Sequence, residues 1–459
     1  MLLKTLVRRE NGAATLQRLH DALADLPAWT IAGRVRAARA SALHCAGLGG
    51  LVAVGDSCRI ERGDGRDPLL AEVAAFDGDT TILLPYGECR DVALGARVEV
   101  VPALAAVSPG ANWLGRVLDP LARPLDDQPA PTPGGRAVPI YAGPPDATRR
   151  HALGAPLPLG VRALDLFAPV KQGQRLGIFA GSGVGKSTLL AMIARRARAD
   201  CLVIGLIGER GREVNEFLND TLDAEARARA VTVVATSDQP AMLRRRAAWL
   251  TLTIAEALRD QGRSVVCLVD SLTRFATALR EVYLAAGEPP ATRGYPPSVF
   301  AELPRLLERA GPGVDGAGDV TGLFTVLTEG DDTEEPVADQ TRSILDGHVV
   351  LDRKIAEAGR YPPVDVLKSL SRTAGSVYGE GEAQLARHAR RLMQAHAESA
   401  DLIRLGAYTH GADPLVDEAI ARLPALDALL AQSPGDGVDA APFARLAEAL
   451  GVVVPAATP

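Results

Sequence analysis

Between Arg175 and Leu190 the chain runs through an apolar strand, a glycine turn and the start of a helix: Arg175-Leu176-Gly177-Ile178-Phe179-Ala180-Gly181-Ser182-Gly183-Val184-Gly185-Lys186-Ser187-Thr188-Leu189-Leu190. Glycines at 181, 183 and 185 free the backbone to turn successive N–H groups inward, and the following helix adds the positive end of its dipole. Such a concavity takes a polyanion. Gly181, Ser182, Gly183, Val184, Gly185, Lys186, Ser187 and Thr188 are therefore expected to cradle a nucleoside triphosphate. Lys186 would reach the β- and γ-phosphates, and the Ser187 hydroxyl would ligate Mg²⁺. Ala180 stands where the motif usually has its first glycine.

At 459 residues the chain is long enough for two or three domains. A net charge of −6 leaves no global basic footprint for nucleic acid. Arg244-Arg245-Arg246 reads as a solvated helix face. Cysteines 45, 58, 89, 201 and 267 are odd in number and lack metal-ligand spacing, so reduced thiols in a cytoplasm are expected. No apolar run approaches the roughly 20 residues needed to cross a bilayer. Association with a membrane would then go through partners or a surface contact.

Leu16, Leu19, Leu23 and Leu26 recur at helical spacing, so residues 1–26 are read as a helical arm. Over residues 27–103, short β-type runs such as Leu51 to Val54, Thr81 to Leu84 and Arg97 to Val101 alternate with Gly/Asp turns, predicting a small β-barrel. Residues 104–150 are crowded with prolines and read as a linking region. Residues 151–378 alternate apolar strands with helical segments, which predicts a mostly parallel sheet covered by helices, an α/β domain. From 379 to 459 the pattern is helical, with Leu385, Ala389, Leu392, Met393 and His396 on one stripe and Arg387, Arg390 and Arg391 off it.

Two carboxylates complete the chemistry. The strand Val265 to Val269 ends in Asp270, placing an acid at the edge of the sheet beside the cradle, on the metal side. The strand Leu202 to Ile207 runs into Gly208-Glu209-Arg210-Gly211-Arg212-Glu213, where Glu209 could polarise a water in line with the γ-phosphate as general base.

Gly208 to Glu213, Asp270-Ser271-Leu272-Thr273-Arg274-Phe275, Arg293-Gly294-Tyr295-Pro296-Pro297-Ser298-Val299-Phe300 and Glu329-Gly330-Asp331-Asp332 resemble the ATPase of flagellar and type III secretion export systems. That family is similar to the catalytic subunit of rotary ATP synthases. Ser343 to Leu351 and Tyr361-Pro362-Pro363-Val364-Asp365-Val366-Leu367 extend the likeness, which spans roughly residues 100 to 430. Ala180 belongs to this family's version of the cradle. The resemblance implies a RecA-like P-loop NTPase core with an N-terminal β-barrel and a C-terminal helical domain. It implies Tyr361 on the adenine ring and Arg372 as an arginine finger in a neighbouring subunit's site. It also implies ATP with Mg²⁺, a homo-hexameric ring, a stator-like regulator at the N-terminal arm, export chaperone–substrate complexes, and peripheral attachment to an export gate at the cytoplasmic face of the inner membrane. The segment Gly406 to Ile420, with Gly-Ala-Tyr and Gly-x-Asp-Pro, looks more like the flagellar branch than the injectisome branch.

An RNA helicase of the same core fold would need stacking platforms and a basic path, whereas aromatic residues make up 4% of this chain. A binding-only paralogue would lack Glu209. A rotary synthase subunit would carry an acidic lever segment, which the C-terminal region does not contain.

Overall fold

The computed structural model describes residues 30–39, 41–101, 104–314, 316–328 and 335–452. The chain divides into two compact units at 103/104. The predicted helical arm and the Glu329 to Asp332 motif lie outside the described residues.

The first unit is a closed antiparallel barrel of β1 (Ala32–Arg39), β2 (Ala42–Ala46), β3 (Ser57–Ile60), β4 (Leu69–Asp77), β5 (Thr80–Pro85) and β6 (Arg97–Val100), in the order β1-β2-β5-β4-β3-β6. Val35, Leu43, Cys45, Cys58, Ile60, Val73, Leu83 and Val98 fill its interior. Closure removes the sheet edges. Leu51 to Val54, expected as a strand, is instead a turn with Leu51 and Val54 exposed. Gly49, Gly50 and Gly55 bracket that run, with Gly50 and Gly55 at positive φ, so the backbone turns there in spite of its apolar side chains.

The second unit contains the α/β sheet. Residues 104–150 do not link two bodies but belong to this unit. They contribute β7 (Ala106–Val107), which pairs with β9 (Val138–Pro139), and β8 (Val117–Leu118), which joins the main sheet beside β12. The remaining strands are β10 (Arg175–Ala180), β11 (Cys201–Glu209), β12 (Ala230–Thr236), β13 (Ser264–Asp270), β14 (Gly311–Pro312), β15 (Asp319–Leu327), β16 (Gly347–Leu351) and β17 (Val364–Ser371). Their order is β17-β16-β10-β15-β13-β11-β12-β8, with β14 pairing β15; only β14 and β17 run antiparallel to their neighbours. Strands such as β11, buried from Cys201 to Gly208, are covered on both faces, which is why they read as unbroken apolar runs.

Helix α1 (Arg162–Phe167) precedes β10, α2 (Lys186–Arg196) follows it, and α3 (Gly211–Glu216) and α4 (Ala224–Ala228) lie between β11 and β12. The long helix α5 (Ala241–Arg259) lies almost wholly in the core. Its arginine triplet is therefore not a solvated face. Arg246 is 2% exposed and donates to the carbonyls of Pro120 (2.9 Å) and Leu104 (2.6 Å), while Arg244 pairs with Glu281 and Arg245 with Glu302. The proline-rich segment lacks the ladders that would satisfy its carbonyls, and a guanidinium fork supplies the missing donors.

Further helices are α6 (Leu272–Ala285), α7 (Pro297–Leu307), α8 (Pro336–Ile344), α9 (Arg353–Glu357) and α10 (Ala374–Val377). The C-terminal region is helical: α11 (Glu380–Arg404), α12 (Pro414–Leu430) and α13 (Pro442–Leu450). Ala389 and Leu392 bury the expected stripe of α11. Arg390, expected off the stripe, points inward and donates to the carbonyls of Phe167, Val366 and Ser369, fastening the helix to the core. The Gly-Ala-Tyr and Gly-x-Asp-Pro residues build the turn between α11 and α12. Tyr408 Oη donates to Asp417 (2.9 Å), Gly411 N–H donates to Asp417 (2.8 Å), and Asp413 caps α12 by accepting from Leu415 N–H with Pro414 at the first helical position.

Candidate functional site

Because β10, β11, β13 and β15 run parallel, their C-terminal ends open on one edge of the sheet. That edge is where open α/β sheets bind ligands. The cradle leaves β10 there. Gly183 and Gly185 take φ of +76° and +101°, a region closed to most side-chain-bearing residues, and Gly185 hands the chain to α2. Ser182, Gly183, Ser187 and Thr188 are exposed, whereas Gly181 and Val184 are buried. Open donors thus line a seat anchored from below.

Lys186 Nζ sits between the two predicted carboxylates, donating to Glu209 Oε1 at 3.1 Å and to Asp270 Oδ1. All three side chains are nearly buried, at 10%, 14% and 5% exposure. Burial alone would depress the Lys186 ammonium, but the facing carboxylates outweigh it and hold its pKa above the ordinary lysine value. Burial raises the Asp270 carboxyl above the ordinary range against the pull of Lys186. The site therefore keeps a cation aimed at the cradle, with carboxylates on either side.

The Tyr361 ring, 49% exposed, lies over the cradle: its Cδ1 and Cε1 are 3.7 Å from where a Cβ on Gly185 would stand, and Pro363 is 3.8 Å from the same point. Lys186, Ser187, Glu209, Asp270 and Tyr361 are thus gathered with the glycine turn. Arg372 is not. It is exposed at the end of β17, and since β17 runs against β16, that end lies beside Gly347 at the opposite edge of the sheet. Its N–H donates to Asp346 O, and Asp346 accepts from Arg175 N–H, where β10 begins. Six residues of β10 separate it from its own cradle, roughly 20 Å of strand.

Two further residues touch the site. Thr325 Oγ1, buried in β15, donates to Asp270 Oδ1 at 2.7 Å. A hydroxyl in the apolar run Gly322 to Leu327 was the available signal. Arg353 Nη2 donates to Ser182 O of the cradle at 2.9 Å, and nothing in its sequence neighbourhood marks it out.

The donor set suits a hard divalent cation. Among the described residues no three His, Cys, Asp or Glu converge on one point, and Mg²⁺ asks for no such cage: it binds through one or two protein oxygens, substrate phosphates and water. Ser187 and Asp270 offer those oxygens.

Residues 160–371 match the ATP synthase alpha/beta family, nucleotide-binding domain, and residues 379–448 match the T3SS EscN ATPase C-terminal domain. The flagellum-specific ATP synthase of Caulobacter vibrioides is 51% identical over 409 residues, covering 88% of this chain and 92% of that one. The type 3 secretion system ATPase of Xanthomonas euvesicatoria is 46% identical over 389 residues, covering 85% and 87%. The structure of the assembled ATPase EscN from enteropathogenic E. coli superposes with a TM-score of 0.85 at 39% identity, covering 91% of this chain and 100% of that chain. The fold, the cradle with its two acids and these likenesses converge: the chain belongs to the flagellum-specific and type III secretion export ATPases, enzymes that hydrolyse ATP on the nucleotide-binding domain of the ATP synthase alpha/beta family.

Proposed function

We propose that this ATPase works as a homo-hexameric ring whose Mg²⁺-dependent hydrolysis drives protein export through a flagellar apparatus. The observation that carries the chemistry is Lys186 held between Glu209 and Asp270 beneath the cradle. Gly181 to Thr188 bind the phosphates through backbone N–H groups, and Lys186 swings from its carboxylates to the β- and γ-phosphate oxygens. Ser187 and Asp270 would hold Mg²⁺, which when bound would supply charge neutralisation to the triphosphate. Glu209, released from Lys186, orients the attacking water and takes its proton. Tyr361 packs on the adenine. Arg372 serves the neighbouring subunit's site, since it stands too far from its own, and head-to-tail contacts in a ring bring such surfaces together.

The remaining assignments follow the family. EscN is known assembled and in complex with its central stalk EscO, which supports a ring with a stalk partner here. Release of substrates from chaperones, a regulator at the N-terminal arm and docking at a membrane export gate from the cytoplasm complete the proposal. No described helix is long and apolar enough to cross a membrane, in keeping with attachment through partners. The flagellar branch is favoured over the injectisome by the Gly406 to Ile420 segment. Deleting the gene and scoring swimming beside effector secretion tests it: loss of swimming with secretion intact is expected, and the reverse would assign the chain to an injectisome.

A further inference from the structure

The base end of the nucleotide site is held from the C-terminal region. The segment that follows α12 passes directly behind Tyr361, and Gln432 N–H donates to Tyr361 O at 2.7 Å. Gln432 is 3% exposed. Both ends of its side-chain amide are engaged: Oε1 accepts from Arg162 N–H at 2.9 Å, and Nε2 donates to Gly160 O at 3.1 Å. An amide fixed at both ends cannot rotate, so the backbone N–H it carries is fixed as well. One residue earlier in the base loop, Arg360 pairs with Asp427 of α12 at 3.3 Å.

We infer that Gln432 is a positioning residue for nucleotide binding: it sets the backbone of Tyr361 so that the half-exposed ring stays over Gly185, where a base can stack on it. This rests on the reading of Tyr361 as the adenine platform. The geometry gives the inference its direction. Among the described residues, the hydrogen bonds of Gln432 go to Gly160 O ahead of α1, to the Arg162 N–H at the start of α1 and to the carbonyl of Tyr361, none of which belongs to the phosphate cradle. Its removal should loosen the base end and leave the phosphate end intact.

The test separates the two ends with inorganic tripolyphosphate, which has phosphates but no base. In the full-length enzyme, Gln432→Met keeps the length of the side chain and removes both polar ends. It should raise the KM for ATP about three- to tenfold, the worth of a buried hydrogen bond, with kcat and the inhibition constant of tripolyphosphate unchanged. Tyr361→Ala should show the same pattern more strongly, and the double variant should be no worse than Tyr361→Ala alone, because one residue acts through the other. A Gln432→Met enzyme with wild-type KM, beside a Tyr361→Ala enzyme with raised KM, overturns the role of Gln432 and leaves the platform standing. Unchanged KM in Tyr361→Ala overturns the platform itself. Equal weakening of ATP and tripolyphosphate by Gln432→Met means general loosening and also overturns the inference. Should the Met variant fail to fold, Gln432→Glu, which keeps the acceptor for Arg162 and loses the donor to Gly160, carries the same comparison.

Discussion

Thr325 and Asp270 stand side by side on adjacent parallel strands, and the threonine hydroxyl donates a 2.7 Å hydrogen bond to the carboxylate oxygen that also faces Lys186. On the proposed mechanism, the bond holds the carboxylate's orientation when Lys186 leaves it for a phosphate. Thr325→Val, nearly the same shape, should therefore lower kcat about tenfold and raise the Mg²⁺ concentration giving half-maximal rate, as loss of an outer-shell partner does elsewhere. Thr325→Ser should restore both. A Mg²⁺ titration of turnover in the three enzymes decides it, and an unshifted Val variant would reduce Thr325 to packing.

Lys186 and Glu209 should part company when mutated. Lys186→Ala should abolish hydrolysis chiefly by weakening triphosphate binding, and it leaves two carboxylates facing each other in a nearly buried site, so the empty protein should also lose stability, about 3 kcal/mol if the buried acid stays charged. Glu209→Gln keeps the cradle, frees Lys186 from one competitor, and should bind ATP at least as tightly as the wild type without cleaving it. Calorimetric ATP titration beside a phosphate-release assay reads both. Near-normal turnover in Glu209→Gln would remove the residue from its role.

On the proposed trans role of Arg372, exposed at the far edge of the sheet, hydrolysis becomes a property of neighbours. Specific activity should climb steeply with protein concentration, and Arg372→Ala should bind ATP yet turn over ~10³-fold or more slowly. Mixed with Lys186→Ala, it should recover part of the activity, since some interfaces then pair an intact cradle with an intact finger. Co-assembled mixtures as inactive as either parent would defeat the assignment.

Away from the site, Asp126 accepts from Arg116 at 2.7 Å and 2.9 Å and from Val117 N–H. The Arg116 guanidinium holds its carboxyl down at about 2. A depressed carboxyl contributes stability that is fully present above its unfolded value near 4 and lost as pH falls through the folded one. Asp126→Asn should thus be less stable than wild type at neutral pH, with the gap closing between about pH 4 and pH 2. Urea melts across that range measure it, and a gap that persists at pH 2 would show that geometry rather than charge sets the contribution.

The residues proposed to hold phosphate and metal were legible because each sits where a strand ends or where the helix after it begins. An apolar run that stops at Asp270 or Glu209 places its acid on one edge of a parallel sheet whatever else the fold does. The second layer was not legible, since it is made by contacts distant in sequence: Gln432 reaches Tyr361 across 71 residues and Arg353 reaches Ser182 across 171. Arg246 misled for a related reason. Three arginines in a row look solvated, yet Arg244 and Arg246 are both buried, Arg246 under the carbonyls of a proline-rich segment folded over α5 and Arg244 against Glu281. Leu51 and Val54 misled in the opposite sense, apolar residues on a turn set by the glycines around it.

Helix α2 starts at the cradle and ends at Arg196, whose guanidinium, 8% exposed as a residue, holds the carbonyls of Ser433 (3.1 Å) and Pro434 (2.9 Å). Its 11 residues make a rod about 16 Å long and about three turns round. Such a rod has a phase as well as a length. Inserting or deleting one residue would swing Arg196 by about 100° away from those carbonyls, so α2 can exchange side chains along its sides but admits no change in residue count, and among drifting sequences its length should behave as a fixed gauge.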